Sequence, residues 1–164
     1  MSKGIVVAGF GAIGKTMVGN KYDNSIDLES SYYKWYNIGF ENLSSEKLKG
    51  IVRPVNKDWP SNYHKAIVEA REKYDVVLTS MHDHVLRFFE ENNIEYYLAI
   101  PTLDSTDVII DRCYNRGNKN FIDILIKTLY DFDSRLSEYR PIKILRLNKN
   151  EYLEDVLIKS GIIK

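Results

Sequence analysis

The sequence feature that most constrains the fold is a glycine-rich turn that directly follows a short apolar run. The run reads Gly4-Ile5-Val6-Val7-Ala8, and the turn reads Gly9-Phe10-Gly11-Ala12-Ile13-Gly14-Lys15-Thr16. A β-branched run that is apolar at successive positions is typical of a strand buried on both faces of a parallel sheet. Because parallel strands need crossover connections, the pattern predicts an α/β chain.

Apolar runs of the same kind recur along the chain. They predict further strands at 25–28, 75–79, 96–100 and 142–147. Segments with helical spacing lie between them, and two carry a clear apolar stripe. The stripes consist of Tyr63, Ile67, Ala70 and Tyr74, and of Phe121, Leu125, Leu129, Phe132 and Leu136. Five strands that alternate with helices predict a single three-layer α/β domain over residues 1–164.

Composition excludes some classes of function. The 23 basic and 23 acidic residues cancel, so no global field favours nucleic acid or a membrane as partner. A single cysteine, Cys113, cannot form an internal disulfide, and no leader or long apolar stretch is present. We therefore expect a cytoplasmic protein whose partner is a small molecule. The sequence leaves the oligomeric state open and is compatible with a homodimer.

The glycine-rich turn matches the pattern G-x-x-x-x-G-K-[ST] and follows a predicted strand, as a phosphate-binding loop requires. Glycines let the backbone amides of such a loop point at phosphate oxygens, and the next helix adds its positive end. On this interpretation the loop binds ATP. Lys15 contacts the β- and γ-phosphates, and the Thr16 hydroxyl lies on Mg²⁺.

The same glycines also fit a dinucleotide fingerprint, Gly9-x-Gly11-x-x-Gly14, with Asp27 or Glu29 available to hold a ribose. Spacing argues against that alternative, because only about ten residues separate Gly14 from the second predicted strand. A dinucleotide-binding unit normally has a longer first helix there, and its acidic residue comes later. An NAD-binding module is therefore the less favoured interpretation.

Two carboxylates, Asp27 and Glu29, lie where the second predicted strand ends. Ligands of open α/β sheets bind at the carboxyl ends of the strands. Asp27 or Glu29 is thus a candidate to orient an acceptor, to act as general base, or to hold Mg²⁺ through water. The alternative is a solvated turn in which Ser30 or Ser31 caps a helix.

A later segment carries two arginines, Arg112 and Arg116, on one predicted helix that starts near Ser105 or Thr106 and ends at Gly117. Residues four apart project from the same helix face. Planar guanidinium groups suit the negative charge of a migrating phosphoryl group, which makes both arginines catalytic candidates. The alternative is a solvated arginine pair on the surface.

The loop Gly9 to Thr16, the strand end at residues 27–31 and the segment at residues 111–118 together resemble the nucleoside-monophosphate-kinase branch of P-loop proteins. They are most similar to small deoxynucleotide-kinase or adenylate-kinase-like proteins that bacteriophages often carry. The resemblance implies a parallel sheet of order 2-3-1-4-5, a short arginine-bearing lid at residues 105–120, and phosphoryl transfer from ATP to a nucleoside or deoxynucleoside monophosphate. The third strand departs from that family, because residues 78–82 contain no acid.

Weaker signals concern the acceptor and the adenine. Residues 30–58 have no strong period and predict a flap over the acceptor site. The candidate acceptor-binding residues are Tyr33, Trp35 and Arg53 within this segment, and Glu29 and Arg87 outside it. Asn148 follows the last strand, where the family packs the adenine. His82 and His84 alternate along the chain, so we do not expect them to share one metal ion.

One rival function comes from another class. A non-catalytic sensor of ATP or GTP would use the same loop to order residues 30–58 and present them to a protein partner. Such a protein needs no acceptor site and would ignore every nucleoside monophosphate.

Overall fold

Five parallel strands form the centre of the molecule in a computed structural model that describes residues 2–36, 38–48, 51–117 and 119–164. The strands are β1 (Ile5–Gly9), β2 (Ser25–Asp27), β3 (Val76–Thr79), β4 (Tyr96–Pro101) and β5 (Lys143–Leu147). Their order across the sheet is β2-β3-β1-β4-β5. The predicted α/β fold and its sheet order are confirmed.

Strand β1 lies in the middle of the sheet and explains why its sequence is apolar on both faces. It pairs in parallel with β3, where Val7 lies opposite Leu78, and with β4, where Ala8 lies opposite Leu98. All four of these side chains are fully buried. Burial of both faces by the layers above and below requires this continuous apolar run.

Helices occupy the connections between the strands. They are α1 (Lys15–Lys21), α2 (Ser31–Lys34), α3 (Ser45–Leu48), α4 (Ser61–Arg71), α5 (Asp83–Glu91), α6 (Thr106–Asn115), α7 (Ile122–Ser134) and α8 (Leu153–Lys159). Helix α1 packs on β2, α4 on β3, α8 on β5, and α6 packs on α7. No helix of the described ranges has the length and apolarity needed to cross a membrane.

Both predicted apolar stripes lie on helices, with small differences at the ends. Tyr63, Ile67 and Ala70 of α4 are buried, whereas Tyr74 lies beyond the end of that helix and is only partly buried. On α7 the buried members of the stripe are Leu125, Leu129 and Phe132. The stripes therefore fix the core faces of both helices.

The segment 30–58 is more regular than its sequence indicates. It contains the short helices α2 and α3 and an isolated antiparallel bridge between Trp35 and Val55. The Tyr36 amide donates to the Pro54 carbonyl at 2.9 Å, so the chain returns on itself. Asn37, Lys49 and Gly50 lie outside the described residues, as does Asn118 in the predicted lid.

Candidate active site

The glycine-rich turn connects the end of β1 to the start of α1 and adopts an unusual backbone. Gly14 has φ of 98° and Ala12 has φ of 59°, so both are in the left-handed region. A Cβ atom on Gly14 would also lie 3.3 Å from Cδ1 of Tyr152. Glycine is thus required at position 14 by conformation and by space, whereas Ala12 accepts a strain of about 1 to 2 kcal/mol.

The ammonium group of Lys15 lies against the first half of this loop. Its Nζ atom donates hydrogen bonds to the carbonyl oxygens of Gly9 and Phe10, both at 2.9 Å. These two carbonyls belong to the carboxyl end of the central strand and to the first residue of the turn. The positive charge is therefore held where a phosphate-binding loop needs it.

Thr16 and Asp27 meet at the other side of the loop. The Thr16 hydroxyl donates to Oδ2 of Asp27 at 3.0 Å. Helix α1 reaches β2 this closely because of Gly19, where a Cβ atom would lie 2.9 Å from the Cβ and the amide nitrogen of Asp27. The sequence named both Thr16 and Asp27 as metal candidates, and the structure brings them together.

The second carboxylate oxygen of Asp27 is a candidate metal contact. Oδ1 is buried and accepts no hydrogen bond from any residue that the structure describes. Burial raises the pKa of Asp27, the Lys15 ammonium and the Thr16 hydroxyl oppose that rise, and Glu29 adds to it. A hydroxyl and a carboxylate with an unused oxygen are the hard donors that Mg²⁺ prefers. The residues present therefore fit Mg²⁺.

A cavity of about 470 Å³ extends from the loop and has two different walls. Its floor is the loop itself, residues 9–17. One wall is polar and consists of Asp27, Glu29, Ser30, Ser80 and His82, together with Met81. The other wall belongs to α6, α7 and the turn between them, and it consists of Cys113, Arg116, Phe121, Ile124, Leu125, Thr128 and Phe132.

Tyr63 fixes the polar wall from below, a role that sequence reasoning missed because the residue belongs to a core stripe. Its hydroxyl donates to the Leu28 carbonyl at 2.7 Å and accepts from the Ser80 amide at 3.0 Å. Burial raises the pKa of Tyr63, so the hydroxyl stays protonated. One buried group thus connects the ends of β2 and β3.

The three histidines of the chain gather beside the polar wall. The rings of His82 and His84 stack at 5.6 Å, and Nδ1 of His84 lies 3.2 Å from Nε2 of His64. The pKa of His82 is lowered to about 4, first by desolvation of its ring, although part of the residue is exposed, and then by the charges of His84, Lys34 and Lys15. Within the described ranges no group of three or more His, Cys, Asp or Glu side chains is placed to hold a metal ion.

The two arginines of the predicted lid have different positions, although they are four residues apart. Arg112 does not line the cavity: its guanidinium donates to the carbonyls of Ala12 at 3.3 Å and Glu151 at 3.2 Å, and lies 3.9 Å from the Tyr152 ring centre. Arg116 follows the last residue of α6 and does line the cavity. The structure therefore places Arg116, and not Arg112, at the cavity.

The segment after β5 supports the loop from behind. The Leu153 amide donates to the Ile13 carbonyl at 2.7 Å. Asn148 is exposed, and its amide donates to Oε1 of Glu151 at 3.0 Å. Because Asn148 is not part of the cavity wall, its predicted contact with adenine stays a prediction.

Of the predicted acceptor-binding residues, only Glu29 lines the cavity. Tyr33 packs against Tyr63, with ring centres 5.2 Å apart, and Trp35 pairs with the strand-like residue Val55. The aromatic cluster at the start of 30–58 therefore contributes to the packing of that segment.

Arg53 and Arg87 also lie away from the cavity. Arg53 is buried, donates to the Leu48 carbonyl at 3.4 Å and lies 5.7 Å from the Trp35 ring centre. Arg87 lies on α5, where its Nε atom pairs with Asp83 at 2.9 Å. Sequence reasoning placed them near the acceptor because each was a single arginine close to a predicted site, and spacing along the chain does not determine which way a side chain points.

Comparison with solved structures supports this description of the fold. A gluconokinase from Sinorhizobium meliloti 1021 matches with a TM-score of 0.56 and 17% identity, covering 98% of this chain and 91% of the gluconokinase. A shikimate kinase from Bacteroides thetaiotaomicron matches with a TM-score of 0.52 and 15% identity, covering 99% and 95%. No protein-family model matches the chain, and no curated protein matches its sequence. The fold is that of P-loop kinases.

Proposed function

We propose that the protein transfers the γ-phosphoryl group of ATP to a hydroxyl group of a small molecule. The observation that carries the proposal is the meeting of Lys15, Thr16 and Asp27 around one cavity, with the Thr16 hydroxyl 3.0 Å from the Asp27 carboxylate. The similarity of the fold to a gluconokinase and a shikimate kinase supports the same class of chemistry.

The donor is assigned to the loop. Lys15 carries a positive charge at the first half of the turn and binds the β- and γ-phosphates of ATP. Thr16 and Asp27 would hold Mg²⁺, which neutralises charge between the phosphates when it is bound. Arg116, on the opposite wall, stabilises the equatorial oxygens of the migrating group.

The acceptor is assigned to the polar wall. Asp27 or Glu29 accepts the proton of the attacking hydroxyl, and the raised pKa of Asp27 suits that role. Ser80 and His82 offer hydrogen bonds to the acceptor from the end of β3. Positioning of the two substrates and neutralisation of charge account for catalysis in this class of reaction.

The nucleoside or deoxynucleoside monophosphate implied by the resemblance, which would accept the group on a phosphate oxygen instead of a hydroxyl, is one alternative acceptor to be tested. A coupled ADP-release assay across all common monophosphates measures its use directly. A non-catalytic sensor of ATP or GTP would bind ATP and release no ADP with any acceptor. The cavity beyond the loop favours catalysis, because a sensor has no need of space for a second substrate.

The NAD-binding alternative is disfavoured by the sheet. In the dinucleotide-binding fold the second strand lies next to the first, whereas here β3 separates β2 from β1. A direct comparison of NADH with ATP binding by titration calorimetry tests this, and tighter binding of NADH would contradict the kinase proposal.

Substitution of Lys15 by Ala tests the proposal most directly. We expect kcat for ADP release to fall by at least roughly 100-fold, because a charge that acts on the transition state is removed. Lys21→Ala is the matched control, since Lys21 lies on the same helix but pairs with Glu154 outside the cavity. Unchanged turnover in Lys15→Ala, with both variants folded by circular dichroism, would refute the assignment.

A further inference from the structure

The charges around the cavity are distributed unevenly, and this bears on the acceptor. We call the part lined by Asp27, Glu29, Ser30, Ser80 and His82 the acceptor end. Its acidic side chains are Asp27 and Glu29. The low pKa of His82 keeps that ring neutral at pH 7. The cations among the described lining residues are Lys15, which lies on the loop, and Arg116, which lies on the opposite wall.

Among the residues that the structure describes, the neighbouring cations do not line this end. The charge of Lys34 reaches the His82 ring, but its Nζ atom lies 4.8 Å from the ring centre of Trp35, and the residue is not part of the lining. Arg53 contacts the Leu48 carbonyl, Arg87 pairs with Asp83, and neither lines the cavity. A dianionic phosphate on an acceptor would therefore face Asp27 and Glu29, and like charges across a site oppose binding.

The wall opposite the acceptor end is apolar apart from Arg116 and Thr128. Leu125 and Phe132 of α7 expose little surface, and a Cβ atom on Gly11 would lie 3.0 Å from Cδ1 of Leu125. Ile124, also on α7, is 61% exposed and borders the cavity. Such a wall favours an occupant with an apolar or planar face, because burying that face removes apolar surface from water.

Given the proposed kinase function, we propose that the acceptor is an uncharged alcohol with an apolar or planar face, such as a nucleoside, and not a molecule that already carries a phosphate. Its hydroxyl groups meet the carboxylates, and its apolar face lies against α7. This inference rests on the proposed function and names the substrate class of the same site.

In the transfer step, the acceptor hydroxyl oxygen forms a bond to the γ-phosphorus of ATP, while the bond from that phosphorus to the β,γ-bridging oxygen breaks. The bonding electron pair leaves with ADP. The hydroxyl proton passes to the carboxylate of Asp27 or Glu29 and then to solvent. The products are ADP and the phosphate monoester of the alcohol.

The test compares matched pairs: each common ribo- and deoxyribonucleoside and its 5′-monophosphate. Binding is measured by titration calorimetry with Mg²⁺ and a non-hydrolysable ATP analogue present, and ADP release is measured with ATP. We expect at least one nucleoside to bind roughly tenfold more tightly than its monophosphate and to accelerate ADP release more. A preference for the monophosphate in every pair, or no acceleration by any nucleoside, overturns the inference.

A charge variant provides a second, independent measurement. Glu29→Lys should shift the ratio of the two affinities toward the monophosphate by about tenfold. Glu95→Lys makes the same change in net charge at an exposed position just before β4, and it should leave the ratio unchanged. Equal ratios in the two variants would count against the role of Glu29. Failure of the proposed function itself is distinguishable, since the wild-type protein would then either not bind the ATP analogue or release no ADP with any nucleoside or monophosphate.

Discussion

The glycine-rich loop, residues 9–16, and the segment 30–58, whose Ser30 lines the same cavity, are built in different ways. Phe10 and Ile13 of the loop are each 1% exposed, whereas Ile38 and Val52 of the segment are 82% and 97% exposed. The loop is held by the contact of its own Lys15 with the end of β1, by Arg112 of α6 and by Leu153 at the start of α8. The segment has short helices and a single bridge.

This difference suggests a division of labour between the two regions. On the proposed function, the loop needs one geometry because every triphosphate tail has the same shape, and its dense packing supplies that geometry. The segment 30–58 buries fewer apolar side chains, so substitutions there have less effect on the free energy of unfolding. The comparison predicts large effects at the loop and small ones in the segment.

The largest expected effect is at Asp27. Asp27→Asn should lower kcat for ADP release by roughly 100- to 10,000-fold, because the variant can neither accept the proton nor bind the metal with full charge. Stability at pH 7 should not fall, since burial raises the pKa of Asp27 and the ionised form is disfavoured in the folded protein. Activity assays and denaturant unfolding measure both.

A matched control for Asp27 is Asp23→Asn, which removes an exposed carboxylate between α1 and β2. We expect it to leave kcat unchanged. Equal loss of activity in the two variants would contradict a specific role for Asp27.

Two glycines with positive φ, one in the loop and one in the segment 30–58, allow a direct comparison of the two regions. Gly14→Ala should destabilise the protein by about 1 to 3 kcal/mol and weaken ATP binding, because it combines backbone strain with contact against Tyr152. Gly39→Ala has similar strain, with φ of 87°, but a Cβ atom there meets nothing within 4 Å. It should cost about 1 kcal/mol and leave ATP binding unchanged.

Thermal unfolding and titration with an ATP analogue measure these two effects. If Gly39→Ala weakened ATP binding as much as Gly14→Ala, the distinction between the loop and the segment would be wrong.

Substitutions of Arg112 and Arg116 should have smaller effects, one on stability and the other on turnover. Arg112→Ala should lower the free energy of unfolding by about 1 to 2 kcal/mol, because it removes contacts with Ala12, Glu151 and Tyr152. Arg116→Ala should lower kcat by roughly tenfold or more, because its charge lines the cavity. Unfolding curves and steady-state kinetics separate the two, and the reverse pattern would restore a catalytic role for Arg112.

The smallest expected effect concerns pH. The pKa of His82 is lowered to about 4, so below the ordinary pKa of about 6.5 the unfolded chain binds a proton that the folded chain does not. Stability from this group is present above that value and is lost as pH falls toward 4. The raised pKa of Asp27 changes stability with pH in the opposite direction. The measurement is therefore the difference in free energy of unfolding between wild type and His82→Gln, determined with denaturant at pH 7 and at pH 5. The free energy of unfolding should fall less between pH 7 and pH 5 in the variant than in the wild type. An equal fall in the two proteins would exclude the effect.

Much of the glycine-rich loop and of the sheet could be predicted from the sequence because their determinants are local. The pattern from Gly9 to Thr16 and the apolar strand before it define the loop, and alternation of strands with helices defined the sheet. Thr16 and Asp27 were found for the same reason, since both lie at element ends. These features depend on neighbours along the chain.

The rest depends on neighbours in space. Spacing placed Arg112 and Arg116 on one helix face, but it does not show that residues 151–152 lie beneath Arg112. Nor does a core stripe show which of its members border a cavity, as with Phe121 and Leu125. Long-range packing decides such roles, and no local pattern records it.

Helix α7 has a consequence for how this protein is able to evolve. Leu125 and Phe132 serve the core and the cavity at once, so a change in either alters selectivity and folding together. Ile124 and Thr128 border the same space with more exposure. New substrate preferences in descendants of this chain should therefore arise first at these rim positions, where selection for foldability is weakest.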